Sequence, residues 1–287
     1  MTGYALTYIA FGAGDDSTFL YHASEAGLYG VPRADLALFA DTGDEPEYVY
    51  EHIWRLAERA EVTPGAIPIH VAAFRGVPSL VELLKERIRT GGNTTSQPPL
   101  WTLEQTGMHQ LALWDEGTPV ATEGQLPRAC TRDLKIRVSH RYLRRLLGVR
   151  AFVEGGPRVL CLIGIAADEP ERITPSREPW CDTIHPLVDA GVKKTDEYRL
   201  AAQHGWRLPG KSACRMCPYH GDDYWSWLRR EHPRDFERAC LDDEALRRFP
   251  RMRSDLFVHR SRKPLREVKF ADAPAAFGND CSGMCSS

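Results

Sequence analysis

Three groups of residues in this chain have types and spacings suited to chemistry. Cys214 and Cys217 form a Cys-x-x-Cys followed by Pro218. At that spacing two thiolates can share one metal ion or cluster, or close a redox disulfide. Cys130 opens a segment rich in arginine and lysine, where positive potential favours the thiolate. The third group is the run Gly12-Ala13-Gly14-Asp15-Asp16-Ser17-Thr18. A glycine-containing loop between a strand and a helix leaves backbone N–H groups unpaired at the positive end of the helix, where phosphate is the natural guest. Ser17 and Thr18 can cap the helix or donate to phosphate, and Asp16 can orient the loop or hold Mg2+. With no Gly-Lys-Ser/Thr, the loop is not a Walker A motif.

The elements that must position these groups follow from the apolar pattern. Tyr4 to Phe11 reads as a strand ending at the loop, and Phe19 to Leu28 has helical spacing. A second strand, Ala34 to Ala40, stops at Asp41-Thr42-Gly43 and precedes an amphipathic stretch, Glu47 to Ala60. Ile67 to Ala73 predicts a third strand and Ser79 to Arg89 a third helix, the alternation of a parallel sheet with helices on its faces. Ligands in such folds gather at the carboxyl ends of the strands. From Thr90 to Arg128 the pattern breaks down, as for a lid or insertion, with hairpin strands expected around Gln110 to Trp114 and Pro119 to Thr122. A basic helix, Thr131 to Leu147, and an apolar strand, Val159 to Ala166, follow. Arg172, Ser176 and Arg177 come just after that strand, where a strand-end site would be lined. The expected fold is α/β, a doubly wound, mostly parallel sheet over residues 1–174 with a lid insertion near 90–128. Residues 175–287 are expected to form a helical, cysteine-bearing C-terminal appendage.

Composition sets wider bounds. The chain has 287 residues, 43% hydrophobic and 26% charged, values ordinary for a globular protein with a full core. A formal net charge of −2 excludes a polycation that binds nucleic acid through its overall field, while a local basic patch stays open. The eight cysteines are expected as reduced thiols, metal ligands or redox centres rather than a disulfide framework. No segment approaches the length of a membrane span, so a cytoplasmic location without a membrane partner is expected. Cys161, inside Val159 to Ile163, reads as core, as does Cys240 in its helical stretch; Cys181 is undecided.

Gly12 to Thr18 resembles the Ser-Gly-Gly-x-Asp-Ser loop of the PP-loop ATP pyrophosphatases and phosphoadenylylsulfate (PAPS) reductases, and especially the Gly-Ala-Gly-x-x-Ser-Thr variant of PAPS reductase-like proteins. Several segments agree with that family in order: Asp41-Thr42-Gly43 with Glu45 and Tyr50, Cys130-Thr131-Arg132 with Lys135-Ile136, His185-Pro186-Leu187, Ser212-Ala213-Cys214-x-x-Cys217-Pro218-Tyr219, and Cys281-x-x-x-Cys285. Gly12 and Ala13 depart from the family's serine and glycine, and Asp15 stands where many ATP-using members carry lysine.

The resemblance implies the adenine nucleotide alpha hydrolase-like fold. It places ATP or another adenine nucleotide at Gly12, Ala13, Gly14, Asp16, Ser17 and Thr18, with the adenine near Asp41 and Thr42. It implies that Cys130 faces the nucleotide with Asp16, Arg132 and Lys135 as catalytic partners. A [4Fe-4S] cluster on Cys130, Cys214 and Cys217 is one consistent arrangement, as in cluster-dependent tRNA thiolases and DNA phosphorothioation sulfurtransferases, with Cys285 or Cys281 as fourth ligand. Zinc on Cys214 and Cys217, with His220 available, is the alternative. The implied reaction is ATP-dependent sulfur transfer: an acceptor is adenylated, then sulfide or a cysteine persulfide displaces AMP. Reduction of a sulfonucleotide by a thiol and a non-enzymatic nucleotide-binding module are the rivals. A sulfur-donor protein such as a cysteine desulfurase and a nucleic-acid acceptor are the partners considered.

Overall fold

The computed structural model of the chain describes residues 3–74, 79–92, 96–104, 122–250 and 252–270. In chain order the elements are β1 (Leu6–Ala10), α1 (Asp15–Ala26), β2 (Leu36–Asp41), α2 (Glu47–Val62), β3 (Ile69–Ala73), α3 (Leu80–Arg89), β4 (Trp101–Glu104) and β5 (Thr122–Gln125). A π-helical turn (Thr131–Ile136) then runs into α4 (Arg137–Leu146), followed by β6 (Val159–Leu162), β7 (Cys181–Ile184), α5 (Pro186–Asp189), α6 (Lys194–His204), α7 (Asp222–Glu231), α8 (Pro233–Ala245) and β8 (Asp255–Phe257).

The chain divides into two compact units. The first, whose described residues are 3–74 and 131–213, holds a five-stranded sheet in the order β3-β2-β1-β6-β7 with every neighbouring pair parallel. Alternation along the strands sends side chains to two cores. Ile9, Ala37, Phe39, Leu160 and Leu162 pack with Phe19 and Leu20 of α1, Val49 and Ile53 of α2 and Ala201 of α6. Tyr8, Leu36, Leu38, Val159, Cys161 and Ile163 pack with Val138 and Leu143 of α4 on the other face. The expected α/β fold with a parallel sheet flanked by helices is therefore present.

The sheet order fixes where ligands can enter. From β1 the chain steps outward through β2 to β3, then returns to the other side of β1 as β6. The strand order thus reverses between β1 and β6, and a crevice opens outside their carboxyl ends at such a switch point.

The last third departs from the expected all-helical appendage. β7, α5 and α6 complete the first unit, and β8 is a strand of the second. The described residues of the second unit are 79–92, 96–104, 122–130, 214–250 and 252–270; they include α3, α7, α8 and an antiparallel sheet in the order β5-β4-β8. The expected hairpin strand at 110–114 lies outside the described residues, as does 119–121; Thr122 begins β5. Among the described residues, no helix is long and apolar enough to cross a membrane.

Candidate functional site

The loop Phe11 to Gly14 leaves β1 at the switch point. Ala13 takes a left-handed backbone, φ 58°, the position where the resembled family has glycine. For an L-residue this costs about 1 kcal/mol and is kept only where surrounding structure imposes it; Ala13 is fully buried. Gly14 is the N-cap of α1, and having no side chain it offers no cap. Among the described residues, the Asp15 amide donates to Gly210 O at 3.2 Å and that of Thr18 to Gly14 O at 2.9 Å, whereas those of Asp16 and Ser17 have no acceptor. Two orphan amides at the positive end of a helix are able to accept an anion.

Gly164, just past β6, sets the width of this corner. A Cβ there would lie 2.7 Å from the carbonyl carbon and oxygen of Asp16 and 2.8 Å from Ser17 N. Only a glycine lets the β6 exit come this close to the first turn of α1.

Asp16 holds two cations. Its Oδ1 accepts from Lys194 Nζ, and its Oδ2 accepts from Arg172 Nη1 at 3.0 Å. Burial pushes the Asp16 carboxyl up, but Lys194 and then Arg172 hold it below its usual value. Lys194 also lies 3.6 Å from Asp15 Oδ2 and 3.2 Å from Glu197 Oε2; despite its burial, these carboxyls, Asp16 first, keep it charged. Glu197 is wholly buried, and neither carboxyl oxygen meets hydrogen-bonding geometry. Burial and the Asp16 charge push it up to about 9. Arg172 also pairs with Glu169.

Asp15, in the place of the family's lysine, works as a bracket. Its Oδ1 accepts from Gly210 N–H at 2.7 Å and its Oδ2 from Tyr198 OH. The Ser212 hydroxyl donates to Gly12 O, Tyr48 OH donates to Lys211 O, and a Cβ on Gly14 would meet Ser212 N at 3.3 Å. Residues 210–212 thus lie against the loop.

The expected site residues fare differently. The Ser17 hydroxyl donates to Gly14 O at 3.1 Å. Thr18 is fully buried, its Oγ1 3.0 Å from His52 Nε2. Arg55 Nη2 sits 2.9 Å from His52 Nδ1. Because a guanidinium only donates, Nδ1 must accept and Nε2 must carry the hydrogen bonded to Thr18. Asp41 Oδ1 accepts from Gly43 N–H at 2.7 Å and Tyr50 OH at 2.8 Å, closing its own turn at the end of β2. Thr42 beside it is buried. Arg132 and Lys135 lie on the π-helical turn, which packs against β2; Arg132 is exposed and pairs with Asp133. Arg172 was anticipated from its position after β6 and Ser212 as part of the matched segment before Cys214, whereas Gly164, Lys194 and Glu197 were not. Only Gly164 carried a local signal, a glycine inside the apolar run Ile163 to Ala166.

In the second unit, the Cys-x-x-Cys is a tight turn, with Cys217 N–H donating to Cys214 O at 2.9 Å. Both sulfur residues are half-buried and outside any disulfide, as is Cys130. His220 Nε2 lies 2.9 Å from Cys214 O. A carbonyl only accepts, so this nitrogen is the donor and the ring braces the turn's backbone. Arg215, between the two cysteines, is buried and pairs with Asp242 at 3.1 Å, which fixes the turn from below. The Cys130 amide donates to Gln97 O at 3.1 Å.

Among the described residues, no group of three or more His, Cys, Asp or Glu side chains is placed to hold a metal ion. Cys130, Cys214 and Cys217 are therefore not gathered as three ligands of one centre among the described residues; Cys281 and Cys285 lie outside them. Cys161, Cys181 and Cys240 are buried. Comparison with protein families, curated proteins and solved structures found no significant match for the chain.

Proposed function

We propose that this chain is an adenine-nucleotide-dependent sulfurtransferase that uses cysteine thiols as its sulfur carrier. The carrying observation is the uncapped start of α1, with the Asp16 and Ser17 amides unpaired at the β1/β6 switch point. This is a seat for one phosphate of a nucleotide. The sulfur half of the reading rests on the Cys-x-x-Cys at Cys214 and Cys217, whose spacing suits thiol–disulfide chemistry.

The steps are these. An acceptor oxygen attacks the α-phosphorus of ATP and pyrophosphate leaves. A persulfide on one cysteine of the pair, loaded by a sulfur-donor protein such as a cysteine desulfurase, attacks the activated carbon through its terminal sulfur, and AMP leaves with the oxygen. The second thiolate then attacks the inner sulfur, releasing the thiolated acceptor and leaving a Cys214–Cys217 disulfide for an external dithiol to reduce. A Cys-x-x-Cys turn suits that last step. No step runs through a metal.

The test is to incubate the protein with ATP, cysteine, a cysteine desulfurase and nucleic acid, following pyrophosphate, AMP and thiolated product. In this mixture without a dithiol reductant the wild type is expected to release about one equivalent of thiolated product, whereas Cys217→Ser retains pyrophosphate release but frees no product, its acceptor held on Cys214 as a mixed disulfide that no second thiolate resolves. Sulfite release from a sulfonucleotide, without pyrophosphate, would move the assignment to thiol-dependent reduction. Nucleotide binding with neither reaction would leave a binding module.

A further inference from the structure

The two cations at the loop have no role in seating a phosphate on the helix amides, and their present partner is a carboxylate. Lys194 comes from the first turn of α6 and Arg172 from the 3-10 turn Pro170–Arg172 after β6, yet they meet the two separate oxygens of Asp16. A planar anion with one cation on each oxygen has the charge arrangement of a bound phosphate. The side chains are accessible enough to change partner: Lys194 keeps 27% of its side-chain exposure and Arg172 19%. Arg172 Nε is buried with no hydrogen-bond partner, so one donor of its fork is unused.

A second observation bears on the same point. Glu197 is completely buried 3.2 Å from Lys194 Nζ, with neither oxygen in hydrogen-bonding geometry. A buried carboxyl held by an ion pair outside hydrogen-bonding geometry is costly, so the arrangement around Lys194 is strained as it stands. The carboxyls and cations facing one another here are Asp15 and Asp16 from α1, Glu169 and Arg172 from the 169–172 turn, and Lys194 and Glu197 from α6.

We propose that the Asp16 carboxylate is a resident stand-in for a phosphate, and that Lys194 and Arg172 are the specificity-determining cations that take up a distal phosphate of a nucleoside di- or triphosphate. This rests on the reading of residues 12–18 as the phosphate loop. The proximal phosphate lies on the Asp16 and Ser17 amides, the distal one displaces Asp16 from the cations, and a monophosphate leaves the ion pairs in place. The lysine that ATP-using members of the resembled family carry in the loop is supplied here from α6.

The experiment is calorimetric titration of the full chain with ATP and with AMP in EDTA, on the wild type, Lys194→Gln, Lys194→Arg and Asp16→Asn, with folding checked by circular dichroism. The wild type is expected to prefer ATP. Lys194→Gln should lose at least about tenfold in ATP affinity, the loss of one charge-assisted phosphate contact, while AMP affinity stays within about threefold. Lys194→Arg should retain the preference. Asp16→Asn removes the competing anion and should bind ATP more tightly than the wild type. If Lys194→Gln does not fold, Asp16→Asn/Lys194→Gln, which deletes both members of the pair, should fold and bind ATP and AMP alike. An unchanged preference for ATP in Lys194→Gln, or in the double variant where Lys194→Gln does not fold, overturns the proposal, as does weaker ATP binding by Asp16→Asn. A wild type that binds neither nucleotide would instead overturn the phosphate-loop reading itself.

Discussion

Gly164→Ala is expected to destabilise the protein by about 2–3 kcal/mol, the cost of overpacking a filled site, and to cut nucleotide affinity far more than any neighbouring glycine substitution. The added Cβ would stand 2.7 Å from the carbonyl carbon and oxygen of Asp16 and 2.8 Å from Ser17 N. All three are backbone atoms, so no rotamer change relieves the contact. Either the β6 exit moves away or the first turn of α1 does, and both displace the two unpaired amides. Two controls bracket the result. At Gly12 a Cβ would meet nothing nearer than Ser17 Oγ at 3.9 Å, so Gly12→Ala should be close to neutral in stability. At Gly14 it would meet Ser212 N at 3.3 Å and Gly210 O at 3.6 Å. These contacts are longer than those at Gly164, so Gly14→Ala should reduce binding with a smaller loss of stability than Gly164→Ala. Urea unfolding and ATP titration on the three variants read both quantities. Wild-type stability and affinity in Gly164→Ala would mean that the corner between β6 and α1 is looser than this packing allows.

How much of this was legible in the sequence depends on how local each signal is. β1, β2 and β6 announce themselves as short apolar runs punctuated by glycine, aspartate or threonine, because a strand buried on both faces has few polar positions to spare; β3, at the sheet edge and partly exposed, keeps a mostly apolar run. β7 does not: Cys181-Asp182-Thr183-Ile184 carries a charged residue whose side chain reaches Arg158 and Tyr4, as an edge strand permits. The second sheet was hidden for another reason. β4 pairs with β8, Trp101 opposite Phe257, a partnership set by tertiary contact between segments too short to show a period. The glycine-containing loop was readable because all its parts are consecutive. Lys194 was not, since it reaches Asp16 across 178 positions, and Arg172, 156 positions away, was indicated only by its place after β6. In sequence Lys194 is one of two adjacent lysines before Asp196 and Glu197, the composition of an ordinary helix start. The cysteines show the converse: their spacing is eloquent, but a group of three ligands was expected where the described residues form none.

Stability should pass through a maximum near pH 6.5, set by groups of opposite sense in the first unit. His22 stacks on Trp206 at 5.2 Å, and burial, with the Arg59 charge second, brings it down to about 4. His52, locked between Thr18 and Arg55, is brought down to about 4 by burial and then Arg55. A depressed histidine is neutral in the folded state and takes up a proton on unfolding anywhere below its ordinary 6.5. Its contribution is therefore complete above pH 6.5 and is lost as pH falls toward 4, by up to roughly 3 kcal/mol for each ring. His70, His140 and His185 are lowered in the same sense by burial. Glu197 acts in reverse. Raised from 4.5 to about 9 by burial and the Asp16 charge, it keeps its proton when folded and releases it on unfolding throughout that interval. Its contribution is complete below pH 4.5 and is lost as pH rises to 9. Between 4.5 and 6.5 the histidines outnumber it, and stability climbs with pH. Above 6.5 it acts without them, and stability falls by about 1.4 kcal/mol per pH unit for the one proton. Denaturant unfolding from pH 5 to 9 should trace this dome. Glu197→Gln, which stays neutral, should flatten the alkaline limb, and His22→Phe, which keeps the stack on Trp206, should make the acid limb shallower. An alkaline limb that survives in Glu197→Gln would take the proton away from the Lys194–Asp16 pair and place it elsewhere in the fold.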